Sequence, residues 1–399
     1  MAERKPNGRV VLVTDPDQRA ALAVVRSLGR AGHDVLIGGP RRRSLAGASH
    51  YCSRRIFLPD PLGEPKEFVE RVVSALAANR VEVLIPISEA ALLAILPERA
   101  RLGNCLLPFT DLETFQRVCD KTEVLRIAAE EGIATPARAV LETVGALRAS
   151  DLPPFPLVIK PSRSVATLNG ERSKHGVRHA ADRRQLDSQL ATLPPSSYPL
   201  IVQQRIVGPG TGIFLLVWDG TVRAVFAHRR LREKPPSGGV SVYRESIAAD
   251  PSLVERSRRL LARLGWNGVA MVEYKIDAST GTPYLMEING RFWGSLQLAI
   301  DAGVDFPRLL FEVATGGGPP SPPDWTPGVR SRWWWGDVDH LMAMLLKGAT
   351  SLSLPPDHPG RWRTLLDFLV PRTVNRNETL QLDDPKPFFV ETLEWLSGR

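Results

Sequence analysis

Short apolar, β-branched runs alternate with amphipathic stretches through the first quarter of the chain. Arg9–Thr14 (R-V-V-L-V-T) reads as a buried strand. Asp15-Pro16-Asp17 breaks it and can cap a helix over Gln18–Ala31, which Gly32 ends. Asp34–Gly38 is a second strand, so the chain opens as a βαβ unit. Helical spacing over Glu67–Asn79, a strand at Val81–Pro86, a helix over Ala90–Leu102 and a short strand at Cys105–Pro108 follow. They predict a parallel α/β domain over residues 1–110. Ser88-Glu89 lies at the carboxyl end of a strand, where open α/β sheets bind ligands. The first loop, T-D-P-D-Q-R, lacks the glycines of a dinucleotide fingerprint, which excludes NAD there.

The pattern then turns to mixed α+β. Asp111–Gly132 is predicted as a single helix carrying Lys121, and Pro156–Pro161 as a strand carrying Lys160. Lys121 fits a snorkelling surface residue or a site residue. Lys160 fits an edge-strand gatekeeper or a phosphate-binding charge. Ser162–Gly176 is a polar loop that could fold over phosphates or have no chemical role. A helix at Asp182–Leu193 and a strand at Leu200–Val207 precede a hairpin turning at Asp219-Gly220. His228–Val242, with Arg229, Arg230, Arg232 and Lys234, reads as a basic loop: a solvated one, or a flexible cover for anionic groups. Pro251–Leu264 is an amphipathic helix.

The most informative stretch is Val269–Gly294. It predicts strands at Val269–Ile276 and Tyr284–Asn289 around a turn-forming segment. Side chains alternate faces along a strand, so Glu273 opposes Val272, Tyr274 and Ile276, while Glu287 and Asn289 share a face. Paired across the hairpin, the two glutamates repel. Either water screens them, or a cation between them turns the repulsion into binding, as in a Mg²⁺–nucleotide site. Asn289-Gly290-Arg291 adds an amide ligand and a cation. Helices at Ser295–Gly303 and Asp305–Thr315 follow, then a Pro/Gly-rich linker at Gly316–Pro327. Arg332–Trp335 suits packing, and the tail carries helices at Val338–Leu346 and near Phe388–Leu396.

Composition narrows the classes. With 399 residues and 43% hydrophobic content there is ample chain for two or three domains. No apolar run is long enough to span a bilayer, and polar Met1–Gly8 predicts no secretion signal. Three cysteines without metal-type spacing suit a reducing cytoplasm. The net charge of +8 favours anionic ligands, but it is dispersed and no nucleic-acid motif accompanies it. No nucleic-acid or membrane partner is expected.

The order of these motifs is itself informative. An α/β domain is followed by a helix with D-K, an I-K-P strand, a loop, V-Q-Q-R-I, a basic segment and E…M-E-I-N-G-R. This order resembles the ATP-grasp superfamily, in particular its carbamoyl-phosphate-synthase-like branch of carboxylate–amine ligases. The resemblance covers residues 10–315 and is strongest over Gly265–Pro307. It implies an α/β protein with a Rossmann-like pre-ATP-grasp domain over residues 1–110. A two-lobed α+β ATP-grasp domain would occupy 111–318, its small ATP-clamping lobe 137–207, and a small C-terminal extension 319–399. Lys121 and Lys160 would contact phosphates, and Gln203, Gln204, Arg205 and Ile206 would recognise adenine. Glu273, Glu287 and Asn289 would hold Mg²⁺, with Mn²⁺ as the alternative. Arg291 would contact the transferring phosphoryl group, with Arg229 and Arg232 of the basic segment closing over the acyl phosphate.

The implied reaction joins a small carboxylate, amino acids included, to an amine with release of ADP and phosphate; a homo-oligomer is compatible with it. The alternatives are a bicarbonate-using carboxylase or carbamoyl-phosphate-like enzyme, and a non-catalytic nucleotide-binding protein. Four features depart from the family's pattern. Gln203-Gln204 stands where a glutamate is frequent, and the segment after Gly208 shows no acidic ribose contact. Ser162–Gly176 lacks a compact Gly-rich core, and Gly290 replaces a frequent proline.

Overall fold

The computed structural model describes residues 8–143, 152–168, 171–317, 323–348, 352, 354, 358–370 and 375–398. The N-terminal region is a parallel sheet ordered Cys52–Phe57, Asp34–Gly39, Val10–Thr14, Val83–Ile85. Val11, Leu12 and Val13 have no exposed surface, as expected of a central strand covered on both faces. Helices Arg19–Arg30 and Pro65–Asn79 lie close to their predicted spans, whereas the helix predicted over Ala90–Leu102 is an α-helix only over Glu89–Ile95 and continues as a 3₁₀ helix over Leu96–Leu102. Two predictions shift. Cys105–Pro108 contributes only a bridge between Leu106 and Val83. Cys52–Phe57 is an edge strand that hydrophobic patterning does not reveal, because its middle residues Ser53, Arg54 and Arg55 are exposed and polar.

The predicted helix Asp111–Gly132 is two helices, Leu112–Cys119 and Lys121–Glu130. Asp120 separates them at ψ 101°, and its carboxylate accepts from the amides of Thr122 and Glu123 at 3.0 and 3.3 Å. This side-chain capping competes with helix continuation. Lys121 thereby opens a helix, and its amide donates to the Ser162 carbonyl at 2.9 Å, tying it to the small lobe.

The small lobe is an antiparallel sheet ordered Arg138–Leu141, Leu200–Gln204, Leu157–Pro161, Arg178–Ala180. Helix Arg183–Ala191 covers it, and it has its own core around Leu157, Ile159, Leu186 and Val202. Much of the predicted polar loop Ser162–Gly176 is a two-stranded ribbon, Val165–Leu168 against Glu171–Lys174; residues 169–170 lie outside the described residues.

The large sheet has seven strands, in the order Pro283–Asn289, Gly268–Ile276, Gly210–Trp218, Thr221–Lys234, Val240–Ser246, Arg330–Arg332, Asn375–Asn377. The basic segment expected as a flexible loop is therefore corrected. Arg229–Lys234 is the end of a 14-residue strand paired with Val240–Ser246. The sheet also takes strands from both sides of residue 318. Arg330–Arg332 leads into helix Trp334–Leu346, which packs on the Thr221–Lys234 strand. Asn375–Asn377 runs parallel to Arg330–Arg332. From there the chain reaches the N-terminal domain, where fully buried Arg26 donates to Asp384 Oδ2 at 2.9 Å and to the Asp384 and Thr379 carbonyls at 2.8 and 2.9 Å.

Candidate active site

The hairpin Gly268–Ile276/Pro283–Asn289 pairs Glu273 directly with Glu287, and Met271 with Asn289. Its other face is apolar: Val272 and Tyr274 are fully buried, and the Tyr274 hydroxyl meets Ser257 Oγ at 2.9 Å. Two carboxylates are thus fixed side by side, and each is met by a different cation. Arg230 Nη2 donates to Glu273 Oε2 at 2.5 Å. Lys121 Nζ stands 3.7 Å from Glu287 Oε2 and donates to Ser164 Oγ at 2.9 Å. Lys160, buried in the small-lobe strand, donates to the Met286 carbonyl at 3.0 Å. Asn289 Nδ2 donates to Glu287 Oε1 at 3.0 Å, and Arg291 Nη2 donates to Asn289 Oδ1 at 3.2 Å.

The electrostatics of the pair are asymmetric. Burial pushes Glu273 above the usual carboxylate range; Arg230 pulls it down and Glu287 pushes it up. Burial also pushes Glu287 up, but Lys121, Lys160 and the Asn289 hydrogen bond outweigh it, and Glu287 lies below its ordinary value. Burial lowers Lys160 to about 8, against the pull of Glu287. Glu287 is the more strongly ionised partner of the pair. Two carboxylates in register beside an amide oxygen fit a hard divalent cation whose remaining ligands are water and phosphate.

The Leu200–Gln204 strand ends at this site. Gln203 is buried with its amide nitrogen 3.9 Å from Met286 Sδ. Gln204 and Arg205 donate their amides to the Ala137 and Pro156 carbonyls at 2.8 and 3.0 Å, and Ile206 is buried. The crossing to the large sheet is a backbone-on-backbone contact. Gly208 takes φ 148°, and a Cβ there would fall 1.8 Å from the Ile276 carbonyl oxygen. Gly290 has a packing reason too, since a Cβ would fall 2.3 Å from the Trp266 ring. The ring leaves no room for a side chain at the position where the family frequently has a proline.

Lys121, Lys160, Glu273, Glu287, Asn289 and Arg291 come together. Arg229 and Arg232 do not join the carboxylate pair. Across the sheet His228, Gly212, Glu273 and Glu287 form one row, and Arg229, Thr211 and Tyr274 the next. Alternation turns Arg229 to the far face, where it pairs with Glu245 at 2.7 Å. Past an irregularity at Leu231, Arg232 lies opposite Tyr243 and donates to both Asp337 oxygens at 2.6 Å. The arginine that does reach the site is Arg230. Two residues on from His228, which shares the row of Glu273, Arg230 falls on the same face, whereas reading the run as a loop gave no reason to choose among its arginines. The N-terminal domain contributes Glu89, whose Oε1 is buried without a hydrogen-bond partner among the described residues. Its charge acts on Cys119 together with Lys121, Arg291 and Arg163. The strand-end position of Ser88-Glu89 was the available signal.

A family model described as "ATP-grasp in the biosynthetic pathway with Ter operon" matches residues 196–336. Solved structures agree in fold. The L-amino acid ligase from Bacillus licheniformis superposes with a TM-score of 0.62 at 20% identity, over 78% of this chain and 74% of that one. This chain thus shares the fold of that ligase, and its residues 196–336 match an ATP-grasp family model. N5-carboxyaminoimidazole synthetase from Staphylococcus aureus, complexed with ADP, matches this chain with a TM-score of 0.62 at 12% identity, over 82% of each chain. Biotin carboxylase from Campylobacter jejuni, a β-γ-ATP complex, gives 0.62 at 15% identity, over 78% and 72%. A comparison with curated proteins finds no match. Among the described residues, no helix is long and apolar enough to cross a membrane.

Proposed function

We propose that the protein is an ADP-forming carboxylate–amine ligase. The observation that carries this reading is the in-register pair Glu273/Glu287 with Asn289, ringed by Lys121, Lys160, Arg230 and Arg291. A carboxylate is a poor electrophile because its charge repels nucleophiles. Its oxygen attacks the γ-phosphorus of ATP, ADP leaves, and an acyl phosphate forms. The amine then adds to the acyl carbon, and phosphate departs as the amide forms and the amine loses a proton.

Such a transfer needs positioning and cationic stabilisation more than acid–base chemistry. Lys121 and Lys160 neutralise phosphate oxygens, and Arg291 stabilises the transferring group. Arg230 orients Glu273. Mg²⁺ or Mn²⁺ held by Glu273, Glu287 and Asn289 supplies Lewis acidity when bound. The test is ADP and phosphate release screened over pairs of amino acids and small carboxylic acids. Turnover that requires a carboxylate and an amine together, and is lost in Glu287→Ala with the circular dichroism spectrum intact, supports the reading. Turnover with bicarbonate alone, or unchanged turnover in Glu287→Ala, overturns it.

A further inference from the structure

Apolar side chains in contact with water are concentrated at one end of the chain. Among the described residues, ten of the fifteen exposed large apolar side chains lie within the last 60 of the 399 residues. Single exposed leucines are ordinary on a protein surface, but a large cluster marks a surface that a partner covers. Three helices order this cluster. Helix Trp334–Leu346 packs on the Thr221–Lys234 and Val240–Ser246 strands, with Asp337, His340 and Met344 buried on its inner face. Helices Arg361–Leu369 and Lys386–Leu396 flank it. Trp334 meets Phe368 of the first at 5.8 Å between ring centroids, and Trp335 stacks on Trp395 of the second at 4.1 Å.

The outer faces are as regular as the inner ones. On Arg361–Leu369, buried Thr364 and Phe368 point inward one turn apart, and Trp362, Leu366 and Leu369 recur at i, i+4 and i+7 on the opposite side. On Lys386–Leu396, Glu391 and Thr392 accept from the indole nitrogens of Trp333 and Trp335 at 2.7 and 2.9 Å. Phe389, Leu393 and Leu396 repeat the same spacing in solvent. These six side chains are 59–77% exposed, and Met342 and Leu346 of the middle helix are exposed as well. Together the eight leave on the order of 1,000 Å² in water, above the roughly 300–600 Å² of the largest patch on a typical monomer. The amount also exceeds the about 800 Å² that each partner buries in a standard protein interface. The inner contacts already hold the helices, so little ordering is needed to use their outer faces.

Charge discriminates among partners. Residues 340–399 carry seven Lys and Arg against seven Asp and Glu, so the net charge of +8 lies in the rest of the chain. Helices that lie on an anionic membrane carry an excess of Lys and Arg, and this region has none. A large apolar surface without net charge instead matches the interfaces of permanent homodimers, which are more hydrophobic than those of transient complexes. A two-fold axis sets the same patch against itself, so each stripe meets an equally apolar one.

We infer that the outer faces of Arg361–Leu369 and Lys386–Leu396 are the contact surface of a homodimer, with Trp362 and Phe389 as its aromatic anchors. This surface lies beyond residue 336, outside the segment that matches the family model.

The experiment is sedimentation equilibrium of the full chain across micromolar concentrations. Leu366→Glu and Leu393→Glu place one change in each flanking helix, both at exposed positions. Phe57→Ser, at an exposed apolar position of the N-terminal domain, is the control. Circular dichroism confirms that each variant keeps its helices. The expected result is a dimer in the parent and in the control, with the dissociation constant raised about tenfold or more in Leu366→Glu and in Leu393→Glu. Dimerisation within about twofold of the parent in both of these variants overturns the inference, because the two copies then meet elsewhere. A monomeric parent also overturns it, and flotation of that monomer with vesicles of phosphatidylcholine and phosphatidylglycerol would assign the surface to a membrane instead.

Discussion

Arg230 donates to Glu273 at 2.5 Å from the neighbouring half of the large sheet, and this contact ties the carboxylate pair to the Thr221–Lys234 strand. Both side chains are nearly buried, at 11% and 12% exposure. Arg230→Ala would leave an uncompensated buried carboxylate, and a loss of about 3–5 kcal/mol in urea unfolding is expected. Arg229→Ala, on the opposite face and half exposed, is expected to cost less than about 1 kcal/mol and to leave ATP turnover unchanged. The pair of variants separates the two neighbouring arginines by face.

Asp301 gives the protein a pH signature. Burial pushes its carboxyl up to about 6 from 3.8, partly offset by the hydrogen bond that Gln297 Nε2 donates to Asp301 Oδ1 at 2.8 Å. Between these values the folded state holds a proton that the unfolded state has released. Stability therefore falls as pH rises through the window from 3.8 to about 6. Asp301→Asn should remove this slope. It should be the more stable protein at pH 7, by on the order of 1–3 kcal/mol, and show little difference near pH 4. Thermal or urea unfolding at the two pH values checks both the sign and the window.

The C-terminal clamp is a further target. Arg26 and Asp384 are both buried, and Asp384 also accepts from Ser49 Oγ at 2.6 Å and the His50 amide at 3.0 Å. Asp384→Ala should cost about 3–5 kcal/mol because Arg26 is stranded. A double-mutant cycle with Arg26→Met should recover much of that loss, since removing both charges leaves no buried ion unpaired.

Gly290 offers a packing test. A Cβ there would fall 2.3 Å from the Trp266 ring, so Gly290→Ala should destabilise by about 1–3 kcal/mol. Combining it with Trp266→Leu should cost less than the sum of the single changes. An additive result would show that the ring does not set the position of this turn.

The parts of the fold that were legible in the sequence are those where one strong local pattern decides the outcome. Val10–Val13 is apolar because the strand is central, and the hairpin that carries Glu273 and Glu287 was legible from two alternating runs about a turn, although a bulge that skips Met286 sets their pairing. Lys160 is conspicuous because it closes an apolar strand. Illegible parts depend on distant partners or irregularities. The Arg229–Lys234 run looks solvated because its charges are matched by Glu245, Asp337 and Asp339, up to 105 positions away. The irregularity at Leu231 shifts the alternation at the point where it would have to be counted. Arg26 finds Asp384 across 358 positions, which no local window contains. The break at Asp120 was readable as a capping residue, but flanking helical spacing on both sides outweighed it.

Cation binding by Glu273, Glu287 and Asn289 together with a nucleotide is the proposal on which the ligase reading rests. Its most direct test is Mn²⁺ electron paramagnetic resonance, titrating the parent protein and Glu287→Gln with Mn²⁺ in the presence and absence of ADP. The account predicts protein-bound Mn²⁺ that depends on ADP in the parent, with affinity lowered about tenfold or more in Glu287→Gln. Equal Mn²⁺–ADP binding by the two proteins would contradict it.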